Sequence, residues 1–237
     1  SLMKIELCDL VLERPGGIRA IDGISYEFDS GSCSAVAILG ANGAGKSTLL
    51  ESIPGLVPIR SGAVRVDGLN VEKRNLTAIR MKVGMIFQNS GDQLFNHTVR
   101  EDVAFGPRNL KLPEEVVNAR VQEALSRLGI VHLAERDVTH LSGGEKRRAA
   151  LAGVLAMKPE AVLLDEPTSM LDPRACRELA EFLASFPALK LIATHDLAFA
   201  ERLCPESLIL QNGRIAAAGK TGELLRKHEL LADCGLE

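Results

Sequence analysis

Nowhere in these 237 residues does an apolar run approach the roughly 18 residues that would span a bilayer, and the N-terminus lacks the charged-then-apolar layout of a signal peptide. The chain is therefore expected to stay in the compartment where it is made. Ser1 and Leu2 precede Met3, read as an expression remnant, and are left out of the fold reasoning. The five cysteines, Cys8, Cys33, Cys176, Cys204 and Cys234, include no CxxC pair, so reduced thiols are expected rather than a disulfide framework. His97, His132, His140 and His228 have no metal-ligand spacing. A net charge of −3 gives no overall electrostatic drive toward nucleic acid or anionic lipid. Repeats and low-complexity segments are also missing.

What is present is an ordinary globular composition, 46% hydrophobic and 25% charged, enough for one sizeable core or two lobes without staples. Four short apolar runs, at 34–39, 83–87, 161–164 and 189–193, read as buried strands of a parallel sheet. In open α/β sheets ligands sit beyond the carboxyl ends of the strands. Gly40, Gln88, Asp165 with Glu166, and Thr194 with His195 are thus expected along one edge.

Between Gln88 and Met157 the pattern turns helical, with Pro113 at a first turn and Val117, Val121, Leu125 and Leu128 on one face. The first thirty residues and Gly62 to Gly68 alternate and turn, at Pro15-Gly16-Gly17, Asp22-Gly23 and Asp67-Gly68, as a small antiparallel lobe does. The tail is expected to repeat that manner from Leu208 to Ala218, turning at Asn212-Gly213, and to close with a helix. The reading is a single domain: 3–87 and 158–237 form an α/β core with an antiparallel β lobe, and 88–157 a helical insertion.

The stretch "GANGAGKST", Gly40 to Thr48, matches G-x-x-x-x-G-K-[ST] after a predicted strand and before a predicted helix from Ser47 to Ile53. Such a loop cradles phosphates with its backbone N–H groups, here those of Gly40, Asn42, Gly43, Ala44, Gly45, Ser47 and Thr48. Lys46 reaches the terminal phosphates, and the Ser47 hydroxyl is offered to Mg²⁺. "AVLLDEP" delivers two adjacent carboxylates: Asp165 suits the Mg²⁺ water shell, and Glu166 suits a general base toward the attacking water. His195, ending "LKLIATH", can hydrogen-bond the γ-phosphate or that water, although a lone histidine is more often structural. A second glycine-paired helix start, "LSGGE" at Leu141 to Glu145, combines an N-cap serine with open backbone and also suits an anion. One chain carries two grips for one phosphate chain.

In order and spacing, the phosphate loop, Gln88, "LSGGE", "LLDEP" and "ATHD" resemble the ATP-binding subunit of an ABC transporter, over essentially Met3 to Glu237. The resemblance implies a P-loop NTPase fold, ATP and Mg²⁺ as ligand and cofactor, and an ATPase. It also implies that the second grip serves the ATP of a second chain across a head-to-tail dimer. Carried onto this sequence, Ser142, Gly143 and Gly144 become the contacts to that other ATP, and Asp172 the residue crossing the dimer. Gln88 becomes the Mg²⁺ and water ligand that senses the membrane partner, Glu166 the catalytic base and His195 the switch. Arg14 falls where an adenine-stacking aromatic residue is usual; a guanidinium can stack on a base or simply lie exposed at the turn. Glu145 stands for a frequent Gln, and Met170 for a small residue at the dimer crossover, which is expected to loosen or repack it.

Phe87 to Leu112, the "LSGGEKRRAALAGVLAMKPE" stretch and the closing "ELLADCGLE" resemble the ATPase of energy-coupling factor importers, best the cobalt and nickel branch. That implies a membrane coupling subunit, a substrate-capture subunit and a second ATPase subunit, identical or paralogous, with the chain peripheral on the cytoplasmic face. Leu94, Phe95, Val99 and Phe105 are candidates to meet the coupling subunit, with at least half of them expected to be core instead. The alternatives are a vitamin importer of biotin type, another ABC transporter, or a soluble ABC ATPase acting on nucleic acid or ribosomes. The last usually carries a long heptad insertion, a second nucleotide domain or basic linkers, and none is present.

Overall fold

A computed structural model describes residues 2–169 and 171–237; the expectation placed on Met170 lies outside them. All four apolar runs become strands of a six-stranded sheet: β3 (Ala35–Leu39), β6 (Val83–Ile86), β7 (Ala161–Asp165) and β8 (Leu189–Thr194). Every residue of β3, β7 and β8 is buried, which is why these segments are apolar throughout instead of alternating. The order is β10-β9-β3-β8-β7-β6, where β9 spans Glu206–Gln211 and β10 Arg214–Lys220.

The tail forms the expected hairpin and closing helix, but on the parallel sheet. β9 pairs in parallel with β3, Val36 opposite Glu206, so the hairpin extends the parallel sheet instead of the antiparallel lobe. Only β10, antiparallel to β9, breaks the parallel pattern. The turn is at Asn212-Gly213, with both residues left-handed at φ 49 and 73.

A four-stranded antiparallel sheet is built from β1 (Lys4–Arg14), β2 (Ile18–Asp29), β4 (Ile59–Val66) and β5 (Leu69–Asn70). The Pro15-Gly16-Gly17 turn joins β1 to β2, and Asp67-Gly68 joins β4 to β5 at φ 47 and 78. Asp22-Gly23 is not a turn. Leu10 pairs with Ile24 and Val11 with Asp22, which leaves Gly23 as the extra residue of a β-bulge inside β2.

The two faces of the parallel sheet bury separate cores, as strand alternation requires. Val36, Ile38, Leu163 and Leu191 pack toward α1 (Lys46–Ser52), α2 (Leu76–Lys82) and the antiparallel sheet. Ala37, Leu39, Val162 and Ile192 pack toward the helices on the other face. These are α3 (Val99–Asn109), α4 (Glu114–Arg127), α5 (Gly143–Ala156), α6 (Pro173–Ser185), α7 (Leu197–Leu203), and the short closing pair α8 (Thr221–Leu224) and α9 (His228–Asp233). On α4, Val117, Val121 and Leu125 of the expected stripe are fully buried, while Leu128, at the C-cap, packs against the core only partly buried.

Helix starts are encoded locally. Ser142 and Glu145 form a reciprocal capping box on α5, with the Glu145 N–H donating to Ser142 Oγ (3.3 Å) and the Ser142 N–H to Glu145 Oε2 (2.7 Å). Asp172 caps α6 through the Ala175 N–H at 2.8 Å, with Pro173 in the first turn. Among the described residues no helix is long and apolar enough to cross a membrane. The five thiols are all free, and burial pushes that of Cys204 up to about 12.

Candidate active site

The loop from Gly40 to Thr48 leaves the end of central strand β3 and enters α1. Gly43 and Gly45 are left-handed at φ 84 and 108, a conformation that costs a residue with a Cβ about 1–2 kcal/mol. Two glycines are also forced by crowding: a Cβ on Gly40 would lie 2.8 Å from the Leu210 carbonyl, and one on Gly45 2.5 Å from that of Ala20. No side chain caps α1, so the N–H groups of its first turn stay open to an anion. Lys46, 6% exposed, donates from Nζ to the carbonyls of Gly40 (2.6 Å) and Ala41 (3.2 Å).

Parallel strands bring their carboxyl ends to this same edge. Asp165 ends β7 and Glu166 follows it in the left-handed region at φ 44, its N–H donating to the Ala193 carbonyl of β8 at 2.8 Å. That strained residue aims its carboxylate between two nitrogen-bearing side chains: Lys46 Nζ is 3.5 Å from Oε1, and His195 Nδ1 is 3.0 Å from Oε2. The lysine is at ion-pair range but without hydrogen-bond geometry, so Oε1 is buried with no hydrogen bond, as is Oδ1 of Asp165. Burial, and next to it the Glu166 charge, push the Asp165 carboxyl above its ordinary value, while the Ser47 hydroxyl and Lys46 pull the other way.

The expected residues converge in two adjoining clefts. Arg14, Asn42, Gly43, Gly45, Lys46, Ser47, Gln88, Glu166 and His195 line one of about 370 Å³. Ser47, Gln88 and Asp165 line the next, together with Glu51 and Asp92. Gly40, Ala44 and Thr48 line neither cleft; Thr48 is buried and its Oγ1 accepts from Arg14 Nε (3.4 Å) and Nη2 (3.3 Å). Arg14 is therefore tethered to the phosphate loop and lines the first cleft. Ser142, Gly143, Gly144 and Asp172 line neither cleft. Gly144 instead borders a more apolar cavity of about 330 Å³ between α4, α5 and α6, which holds neither Asp165 nor Glu166.

The ABC transporter family profile matches residues 21–169, and that span contains the phosphate loop, Gln88, the capped α5 start and both carboxylates. The chain belongs to the ABC transporter family. As an ABC ATPase it binds and hydrolyses ATP in the service of a membrane permease. An energy-coupling factor transporter ATP-binding protein, EcfA of Methanothermobacter thermautotrophicus, is 43% identical over 237 residues, covering 98% of this chain and 76% of its own. A Streptomyces avermitilis protein, 46% identical over all of this chain and 90% of its own, carries only a provisional ABC transporter ATP-binding name. Among solved structures, cbiO1 of Clostridium perfringens, part of the ABC transporter complex cbiONQ, superposes with a TM-score of 0.83 at 34% identity, over 98% of this chain and 94% of that one. The fold is that of a P-loop ABC ATPase, mixed α/β with the inserted helices on one side.

Mg²⁺ and ATP fit the residues of this ABC ATPase. The loop offers N–H groups where no side chain competes, and the orphaned Asp165 oxygen lies beside Ser47 and Gln88, an all-oxygen set suited to Mg²⁺. The sequence reading missed Glu51, one helical turn beyond Ser47, whose carboxyl is pushed up by burial and by Asp165. It also missed how the tail hairpin braces the phosphate loop. The Gly213 N–H donates to the Ala44 carbonyl (3.1 Å), and the Gly213 carbonyl accepts from the Asp22 N–H (2.9 Å). Arg214 Nη2 closes the corner on Asp22 Oδ2 at 2.6 Å. Asn212-Gly213 was legible as a hairpin turn; its contact with the loop depends on chain segments far apart in sequence.

Proposed function

We propose that this chain is the ATP-hydrolysing subunit of an energy-coupling factor importer, acting as one of two nucleotide-binding chains whose sites are each built from both. The observation that carries this is the placement of the two phosphate grips. Lys46, Ser47 and Glu166 face one cleft, while Ser142, Gly143 and Gly144 line neither it nor its neighbour. A second chain, identical or paralogous, brings its own Ser142 and Gly144 to the phosphates held by this chain, and Asp172 lies at the crossing.

In this reading Lys46 neutralises the terminal phosphates and Arg14 stacks on the base. Asp165, Ser47 and Gln88 would hold Mg²⁺, which would supply positive charge against the charge building on the phosphates. Glu166 polarises the attacking water, and His195, 3.0 Å from its other oxygen, holds that carboxylate in place and links it to the γ-phosphate. The strained backbone of Glu166 supports an assignment to chemistry, because a non-glycine left-handed residue costs about 1–3 kcal/mol and persists only where its surroundings hold it. Hydrolysis at the shared sites opens the pair and moves the membrane partner.

Exposed apolar side chains support a coupling surface beside the cleft. Phe95 and Phe105 are 64% and 44% exposed and stack edge to face with centroids 4.7 Å apart, near exposed Met81. Val99 is fully buried and Leu94 packs against the core, so these two of the four candidates are structural. The energy-coupling factor assignment draws on the EcfA and cbiO1 relatives, and the cobalt or nickel cargo on the sequence resemblance of α5 and the tail; a capture subunit belongs to the same proposal. The chain would sit peripherally on the cytoplasmic face.

The test is Mg²⁺-dependent ATP hydrolysis, lost in Lys46→Ala and in Glu166→Gln, joined to affinity purification from solubilised membranes. Recovery of a coupling protein and a metal-type capture subunit supports the full reading, and a vitamin-type capture subunit moves the cargo. Ordinary paired permease domains would sink the energy-coupling factor assignment.

A further inference from the structure

Arg147, on α5, is only 8% exposed, and among the described residues it makes no ion pair. Among the described residues its guanidinium hydrogen-bonds to main-chain carbonyls. Nη1 donates to those of Pro167 and Ser169, the latter at 2.9 Å, and Nη2 to that of Gln88 at 3.2 Å. These carbonyls belong to two different loops. One follows β6 and carries Gln88; the other follows β7, starting from the left-handed Glu166, whose own carbonyl accepts the Ser169 N–H at 3.1 Å. The helix that supplies the guanidinium is the one that Ser142 caps.

Burying a cation costs desolvation free energy that hydrogen bonds to carbonyls must offset, so net stability alone does not account for an arginine here. Its advantage is geometric: a planar fork of donors fixes several acceptors at once, which an ammonium cannot do. We propose that Arg147 is a positioning residue that sets the Gln88 loop and the Glu166 loop against each other and against the Ser142 end of α5. The roles of Gln88 and Glu166 in this statement rest on the function proposed above. A shift of α5 moves both loops through one side chain, and a shift of either loop is felt at the surface offered to the second chain.

The experiment compares the full chain as wild type, Arg147→Met and Arg147→Lys, by steady-state ATPase kinetics, thermal denaturation, and hydrogen exchange of segments 86–90 and 166–169. Arg147→Met is expected to lower kcat about tenfold or more with KM held within about threefold, because misplaced groups cost turnover before they cost binding. Exchange should rise in both loops and not in β9, and Arg147→Lys should recover part of both effects. A folded Arg147→Met with unchanged kcat overturns the proposal. So does exchange that rises in one loop only, or throughout the chain in step with a lowered Tm. Should Arg147→Met fail to fold, Arg147→Lys carries the same readouts, with a smaller loss of kcat and both loops loosened. Exchange does not depend on turnover: ATPase activity surviving Glu166→Gln would strike the proposed function, whereas loops that fail to loosen together would strike the role of Arg147.

Discussion

In protein stripped of divalent cations, Asp165→Asn is expected to be the more stable of the pair at neutral pH, although it removes a residue assigned to the site. Asp165 is 5% exposed and its Oδ1 has no hydrogen-bond partner. A buried polar group left unsatisfied costs about 1–3 kcal/mol, and more when charged. An amide escapes the charge, and for a chain of this size each 1 kcal/mol moves Tm by about 2–4 °C. The pH dependence follows from the raised pKa. The native fold holds the Asp165 proton more tightly than the unfolded chain, whose value is near 3.8. The stability this contributes is therefore complete below that value and lost as pH rises through the higher folded-state one. The advantage of asparagine should accordingly open as pH rises through that window. Thermal denaturation of both proteins from acid to neutral pH in EDTA reads this directly. Adding Mg²⁺-ATP should then reverse the ranking: at a hundredfold excess over Kd a ligand stabilises by about 2.7 kcal/mol, and the variant should gain less. An Asp165→Asn protein less stable than wild type at neutral pH in EDTA, or a gap that ignores pH, would refute the reasoning.

Gly213→Ala must place a Cβ 2.5 Å from the Ala20 carbonyl at φ 73. Left-handed strain alone costs about 1–2 kcal/mol, so with the clash a loss of at least about 2 kcal/mol is expected in urea denaturation, with weakened nucleotide affinity because the phosphate loop loses its brace. Asp172→Ala removes the N-cap of α6 and should cost about 1 kcal/mol, whereas Asp172→Asn keeps the cap. If Asp172 also crosses the dimer, turnover falls in both variants; if only the alanine loses turnover, in step with its Tm, its role is capping alone. Lys46→Ala takes away the ammonium group beside the buried Glu166 carboxylate and leaves it only the His195 imidazole as a neighbour, so hydrolysis should vanish and Tm should fall as well.

How much of this could be read in the sequence depended on how local the physics is. β3, β6, β7 and β8 were legible almost to the residue because strands buried on both faces are apolar throughout, and α4 because its buried stripe repeats every three to four residues. The phosphate loop and the carboxylates at the end of β7 were legible because their chemistry fixes residue types at fixed spacings. α6 escaped despite a local signal, the capping Asp172 before Pro173 and buried Leu179, Ala180 and Leu183. α2 offered less, since Asn75 caps it without a side-chain hydrogen bond. The side chosen by the tail hairpin was not legible: Ile209 and Leu210 suit either sheet, and only pairing with β3 decides it. The same holds for Arg147, whose three acceptors are carbonyls, which every residue type carries.

The central claim, that each ATP site is shared by two chains, is tested most directly by light scattering of Glu166→Gln with Mg²⁺-ATP, alone and with the membrane partner, with and without Ser142→Arg. The account expects two nucleotide-binding chains held together by trapped ATP, in at least the partner-bound form, and their separation when Ser142→Arg is added. A pair that forms and traps ATP equally well with Ser142→Arg, or a site that traps ATP in a single chain, would contradict it.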